Sequence, residues 1–267
     1  MNRAAQRMLQ VSDLRVTFHS TGKEALHGIS FGMDCGERLG LVGESGSGKT
    51  VTAMAISGLI ERSNVTINGT VNFEGRDLQH CPRSELRKIQ GKEIGVVFQE
   101  PMNSLNPLMK IGHQVEEVLR IHTDMSPQEQ KKLALQTLGR VGLSDPEEIY
   151  EKYPHQISGG QRQRVMIAAA IIIKPKLLIC DEPTTALDVS IQAKILQLLR
   201  DLSEEYGVAI LLISHDLRVV KNLCDKVAVM RRGDIVERGF TKEVFENPQH
   251  EYTRELMKPI PGRLRNE

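Results

Sequence analysis

Residues 43 to 50 read GESGSGKT, which fits the pattern G-x-x-x-x-G-K-[ST]. Glycines at this spacing let backbone N–H groups wrap an anion, a lysine reaches the outer oxygens of a polyphosphate, and a hydroxyl at position 50 binds magnesium. The run lies between an apolar segment, LGLV (39–42), and a stretch that reads as a helix, whose N-terminus adds about half a positive charge. A second glycine pair, in ISGGQ (157–161), also opens a helix but has no lysine beside it. It has the makings of another anion site, and with a better phosphate loop already present it is not obvious whose phosphate it would serve.

Further polar groups stand at the ends of short apolar runs. LGLV (39–42), IGVVF (94–98), LLIC (177–180) and VAILLI (208–213) are rich in β-formers on both faces, as buried strands of a parallel sheet are. The first runs into the phosphate loop, and the others end at Gln99, at Asp181 with Glu182, and at His215. Open α/β sheets gather ligands at the carboxyl ends of their strands, so neighbouring strands would bring these groups into one crevice. Asp181 suits a carboxylate that holds magnesium through water, and Glu182 suits a base that polarises an attacking water. Both could instead only cap a helix if Pro183 and Thr184 began one, a reading that the phosphate loop argues against. Gln99 or His215 alone would be an ordinary satisfied polar residue; their common placement singles them out. Asp188, in TALD, reads either as a site residue or as the cap of a helix starting near Val189. Phe18 reads as core or as a flat surface under a base, and Cys180 as a small buried apolar residue.

The elements that must position these groups alternate strand and helix, which means α/β. LQVSDLRVTF (9–18), GTVNFEGRD (69–77) and KVAVMRRGDIVERG (226–239) read instead as antiparallel strands with glycine turns. VSIQAKILQLLRDLSEEY (189–206) carries Ile195, Leu198, Leu199, Leu202 and Tyr206 on one stripe and stops at Gly207. Between about 100 and 163 no strand pattern occurs. There SPQE (126–129) predicts a capping box with proline at the first helical position, followed by Ala134, Leu138 and Val141 at helical spacing and Gly142 beyond. With 267 residues, 40% of them apolar, the chain has enough for a sizeable core. A formal net charge of +1, without a basic cluster, gives no reason to expect nucleic acid as a partner. The four cysteines, at 35, 81, 180 and 224, are too scattered for zinc, a redox motif or disulfides and suit a reducing compartment. MNRAAQRMLQVSDL lacks the apolar core of a signal peptide, and VMIAAAIII (165–173) is far short of the roughly 20 residues that span a bilayer.

Taken in order, GESGSGKT, Gln99, ISGGQ, LLICDEP, TALD and His215 closely resemble the ATP-binding subunit of ABC transporters across nearly the whole chain. The resemblance implies a P-loop NTPase core with a mainly parallel sheet, an N-terminal antiparallel β subdomain and an inserted helical subdomain. Residues 1–99 and 164–267 would form the core and 100–163 the helical part. It implies ATP and Mg2+ as cofactors. ATP would be held by Gly43, Glu44, Ser45, Gly46, Ser47, Gly48, Lys49, Thr50 and Thr52, with Phe18 stacking on adenine where the family commonly has tyrosine. Thr50, Gln99 and Asp181 would serve the metal. Glu182, His215, Gln99 and Lys49 would carry catalysis, Gln99 and His215 by contacting the γ-phosphate. ISGGQ, with Ile157 in place of the commoner leucine, would be the family signature: Ser158, Gly159, Gly160 and Gln161 bind the phosphate held by a second subunit, and Asp188 lies at the seam.

QEPMNSLNP (99–107) and FENPQHEYTRELM (245–257) further resemble the peptide and nickel importer branch. The partners so implied are two membrane-spanning permease subunits, a second ATPase subunit, identical or related, and indirectly an extracytoplasmic solute-binding protein. The chain would sit on the cytoplasmic face of a bacterial inner membrane. Longer members of the branch carry a cysteine-containing extension, and the shorter form here points slightly to nickel or a metal chelate, with peptide of comparable weight. Three rival readings are weaker. A soluble ABC ATPase acting on nucleic acid or ribosomes usually has two cassettes or a long coiled insert. A P-loop GTPase or kinase would leave ISGGQ unexplained, and N-K-x-D is absent. A non-catalytic cassette would not need Lys49, Asp181, Glu182 and His215 together.

Overall fold

The computed structural model describes residues 7–99, 104–184 and 187–258. In chain order the first elements are β1 (Leu9–Phe18), β2 (Glu24–Met33), β3 (Arg38–Val42), α1 (Lys49–Ser57), β4 (Val65–Phe73), β5 (Arg76–Asp77), α2 (Arg83–Ile89) and β6 (Ile94–Val97). There follow α3 (Ile111–His122), α4 (Pro127–Arg140), α5 (Pro146–Glu151), α6 (Gly159–Ile171), β7 (Leu177–Asp181) and α7 (Val189–Tyr206). The last are β8 (Ala209–Ile213), α8 (Leu217–Leu223), β9 (Lys226–Arg231), β10 (Asp234–Phe240), α9 (Thr241–Glu246) and α10 (Glu251–Met257). Two compact units result: Met1–Leu86 with Leu211–Glu267, and Arg87–Ile210.

The first unit holds an antiparallel sheet in the order β2-β1-β4-β5. Its first strand alternates only in part because it changes phase: Leu9 and Val11 are buried, and then so are Leu14 and Val16. Between them Asp13 takes φ 47, and the pairing with β4 shifts register between Ser12 and Arg15. A bulge of this kind turns the second half of the strand so that both apolar pairs face one way. Opposite it stands Gly69, at φ 87, where a Cβ would lie 2.2 Å from the Asp13 carbonyl oxygen, so glycine is required. β2 was not anticipated from the sequence for the same reason. Its buried side chains, Leu26, then Ile29, Phe31 and Met33, slip phase across Gly28, and no period of two runs through it.

A second sheet of this unit runs β10-β9-β3-β8. The segment read as antiparallel strands is an antiparallel hairpin, β9 with β10, and β9 pairs in addition with β3, in parallel. Val227 to Met230 are buried, which suits a strand with neighbours on both edges.

In the second unit β6 and β7 pair in parallel, and all five residues of β7 are buried. α3 packs against α4, α5 and α6. α4 begins as its sequence predicts: the Ser126 amide donates to Glu129 Oε2 at 2.8 Å, the Glu129 amide returns to Ser126 Oγ at 3.4 Å, and Pro127 is the first helical residue. Ala134, Leu138 and Val141 are buried and Gly142 is left-handed at φ 82. α7 buries Ile195, Leu198, Leu199 and Leu202 and closes on left-handed Gly207, but Tyr206 is 45% exposed. At the last turn the stripe runs past the core, and the Tyr206 ring instead carries the Lys174 ammonium at 3.7 Å from its centroid.

A buried polar contact joins α3 to α5. The Tyr150 hydroxyl donates to Glu116 Oε1 at 2.6 Å, and both residues are buried. Burial first, and the hydrogen bond to Glu116 second, push the Tyr150 hydroxyl well above its ordinary pKa. Tyr150→Phe keeps the ring and takes the hydroxyl donor from the buried Glu116 carboxylate, leaving it His113 Nδ1 at 3.8 Å, so it is expected to cost about 1–3 kcal/mol, read as a lower urea midpoint.

Candidate functional site

In the first unit β3 delivers a buried run into the phosphate loop. Gly43 leaves it so close to β9 that a Cβ would lie 2.1 Å from the Met230 carbonyl oxygen. The chain then turns through Gly46 (φ 76) and Gly48 (φ 106), both left-handed. Lys49, only 7% exposed, donates from Nζ to the carbonyls of Gly43 (2.9 Å) and Glu44 (2.8 Å) and to Ser47 Oγ (3.4 Å). α1 begins at this lysine. Its cap residue, Gly48, has no side chain to close the helix end, and no acidic residue stands in the first turn. The positive end of the helix is thereby kept for an anion.

The other predicted residues of this unit fall into place unevenly. Ser45, Gly46 and Thr50 are exposed and Ser47 is buried. Thr52 is fully buried and donates its hydroxyl to the Gly48 carbonyl at 2.9 Å, so it serves the helix itself. Phe18 ends β1 half-buried. His215 is exposed just beyond β8, where the Ser214 amide donates to the Leu41 carbonyl at 3.3 Å and keeps the end of β8 beside β3.

In the second unit Asp181 is the buried last residue of β7 and Glu182 follows it, half-buried. Gln99 lies two residues past the end of β6, the parallel neighbour of β7. Its Nε2 donates to Glu182 Oε2 at 3.0 Å, so the structure joins two groups that the sequence could place only separately. Glu182 is held at φ 49, a left-handed backbone that costs a non-glycine residue about 1–3 kcal/mol. Pro183 and Thr184 form a turn, not a helix start, which removes the capping reading of the carboxylates. Cys180 is fully buried, and burial first, then the Asp181 charge, push its thiol pKa up.

α6 starts at Gly159. Ser158 Oγ accepts from the Gln161 amide at 3.2 Å while Gln161 Oε1 accepts from the Ser158 amide at 2.9 Å, a reciprocal capping box that S-x-x-Q announces and the sequence reading passed over. Gly159 is exposed, and a Cβ there would meet nothing within 4 Å. Sequence reasoning also missed Gln163. This residue, 1% exposed, donates from Nε2 to the Pro183 carbonyl at 2.8 Å and ties α6 to the turn that carries Glu182. Its signal was a glutamine in line with the apolar Met166 and Ile167. Asp188 caps α7, the second of its two sequence readings, accepting from Ser190 Oγ (2.7 Å) and the Ile191 amide (2.9 Å), and these donations hold its carboxyl below the usual pKa. Thr185 and Ala186 of TALD, and 100–103 of the QEPMNSLNP segment, lie outside the described residues.

A family model described as ABC transporter matches residues 26–185, more than half of the chain. The chain belongs to the ABC transporter family. This ABC protein is 49% identical to the oligopeptide transport ATP-binding protein OppD of Bacillus subtilis (strain 168), over 96% of the chain and 72% of that protein. It is 46% identical to the OppD of Escherichia coli (strain K12), over 96% of the chain and 77% of that protein. A solved dimeric ATP-binding cassette in a post-hydrolysis state, bound to ADP and Pi, matches with a TM-score of 0.80 at 30% identity, covering 88% of this chain and 99% of that one. Among the described residues no helix is long and apolar enough to cross a membrane.

Two outcomes follow for this ABC protein. Gly43→Ala would press a methyl group into the Met230 carbonyl, so a titration with ATP should show at least a several-fold loss of affinity together with a lower thermal midpoint. Asp188→Ala should lower the melting temperature at neutral pH. Because the cap depresses the Asp188 pKa, its contribution is present above the ordinary aspartate pKa and fades as pH falls through the depressed one; the gap between variant and wild type should close in acid.

Proposed function

We propose that the chain is the ATP-hydrolysing subunit of a peptide importer, working as a peripheral protein on the cytoplasmic face of a bacterial cell membrane. The phosphate loop carries this reading: a strand, two left-handed glycines, a helix end without a side-chain cap, and a buried lysine turned onto the loop's carbonyls. Arrival of a triphosphate would give Lys49 stronger acceptors than those carbonyls and give the α1 N-terminus its anion. Hydroxyl, carboxylate and amide oxygens are the donors that magnesium prefers, and Thr50, Asp181 and Gln99 supply them. The ion, when bound, neutralises charge on the β and γ oxygens. Glu182, oriented by Gln99, is the group that holds and polarises the attacking water, and His215 and Gln99 attend the γ-phosphate. Ser45, Gly46, Ser47 and Gly48 contribute loop backbone, and Phe18 a face for the base.

ISGGQ has no lysine, and its Gly159 answers to no steric or conformational demand of its own unit. A glycine that the fold does not need fits a surface where something must approach the backbone closely, and the γ-phosphate held by a second ATPase subunit is the reading we favour. Ser158, Gly159, Gly160 and Gln161 would receive it, with Asp188 nearby at the seam. Closing around ATP and parting after hydrolysis would then become work on two permease subunits, supplied from outside by a solute-binding protein. The relatives' names, which refer to oligopeptide transport, favour peptide over nickel or a metal chelate. Docking of a permease subunit falls to the helical part around 100–163. Ser104, exposed, is a better probe of it than Leu105, which is buried and would be damaged by a charge.

Glu182→Gln is expected to bind ATP, accumulate as a dimer on size exclusion and lose turnover by at least about 100-fold. Ser158→Arg should stop hydrolysis in the assembled pair while each chain still binds ATP. Native turnover in the first variant would remove Glu182 from its role, and native turnover in the second would remove the shared site. In the transporter purified with its membrane partners, peptides presented by the solute-binding protein should stimulate ATPase activity and nickel should not.

A further inference from the structure

The segment 245–257 reaches the phosphate loop. Tyr252, on α10 and 2% exposed, accepts at its hydroxyl oxygen from the Glu44 amide at 3.0 Å. Its ring lies under the Arg231 guanidinium at 4.8 Å. The start of α10 is seated by one carboxylate: Glu237 of β10 accepts from the amides of Gln249 (2.8 Å) and His250 (3.0 Å), and His250 Nδ1 then accepts from the Tyr252 amide at 3.1 Å. All these residues belong to the first unit.

At the loop, Glu44 is gripped on both sides, its N–H by Tyr252 and its carbonyl by Lys49. Three residues on, the Ser47 amide donates back to the Glu44 carbonyl at 3.2 Å and the Ser47 carbonyl accepts from the Gly233 amide at 2.9 Å. Gly233 belongs to the β9–β10 turn, which is itself tied to β2 through the His27 amide at 3.0 Å. The exposed pair Ser45 and Gly46 is thus a turn held at one corner by α10 and at the other by the hairpin. Lys49 must exchange its carbonyls for phosphate when nucleotide enters, whereas the Tyr252 grip uses an N–H at the upstream end of the loop and asks for no exchange.

We infer that Tyr252 is a positioning residue for the phosphate loop, seated by Glu237, and that it keeps the empty loop in the shape that receives a triphosphate. The inference rests on the ATPase reading above. Without the hydroxyl, binding would have to order the loop, so affinity falls while the bound state turns over as before.

Tyr252→Phe in the full chain removes one oxygen and keeps the ring over which Arg231 sits. ATP affinity should weaken about 3–10-fold, as one lost hydrogen bond implies. KM should rise in proportion, with kcat within about twofold. Amide hydrogen exchange at Glu44 should speed up in the empty protein, with the α1 amides unchanged. Glu237→Gln, which weakens the seat, should move the same three readings in the same direction by less. Wild-type affinity with unchanged Glu44 exchange would overturn the inference, as would a uniform rise in exchange with a lower melting temperature, which would mean that Tyr252 only stabilises the fold. A wild-type chain that bound no ATP would sink the ATPase reading instead, and Glu44 exchange in the empty protein would still decide the contact.

Discussion

A buried ammonium group must be surrounded by oxygens, and Lys49 finds them in the backbone of the loop it belongs to. Much of the first unit is arranged to make that possible. The loop can bend far enough only because glycines occupy left-handed positions. It can lie flat against β9 only because Gly43 has no Cβ, and it stays folded because α10 and the β9–β10 turn hold it from outside. The resulting charge is stored close to the helix end and is easily transferred: the carbonyls that satisfy it are weaker acceptors than a phosphate.

The carboxylate half is organised differently. Asp181 continues a fully buried strand, and the next residue must turn out of it at once. Glu182 does so by adopting a backbone that glycine would take more cheaply. The strain is maintained from two sides, through its side chain by Gln99 and through the following carbonyl by Gln163. Two glutamines therefore fix the direction in which one carboxylate points. Since Gln163 lies on α6, the helix opened by ISGGQ and the turn carrying Glu182 are joined by a buried hydrogen bond within the second unit.

Much of this was legible in the residues. Buried strands of uniform apolarity, the capping box at Ser126 and the phosphate loop each carry their physical cause in a few adjacent positions. β2 was not legible, because its register shift is set by a partner strand and erases the alternation that would reveal it. Tyr206 misled because a helical stripe does not say where the core ends. Ser158 had its box in plain view at S-x-x-Q, but the glycines drew attention to an external ligand and away from the helix's own end. Gln163 and Tyr252 act across distances of 20 and 208 residues, and only the fold brings such partners together.

The capping box at Ser158 bears on the kinetics of encounter. A helix end that closes on itself needs no partner to become ordered, so a phosphate brought by another molecule would meet a finished surface, not one that must fold on contact. Rigid surfaces associate at rates limited by collision and orientation, and their lifetimes are set by the contacts made afterwards. The duration of a closed pair would then depend on the chemical state of the nucleotide, and the rate of closing on how often two chains meet face to face.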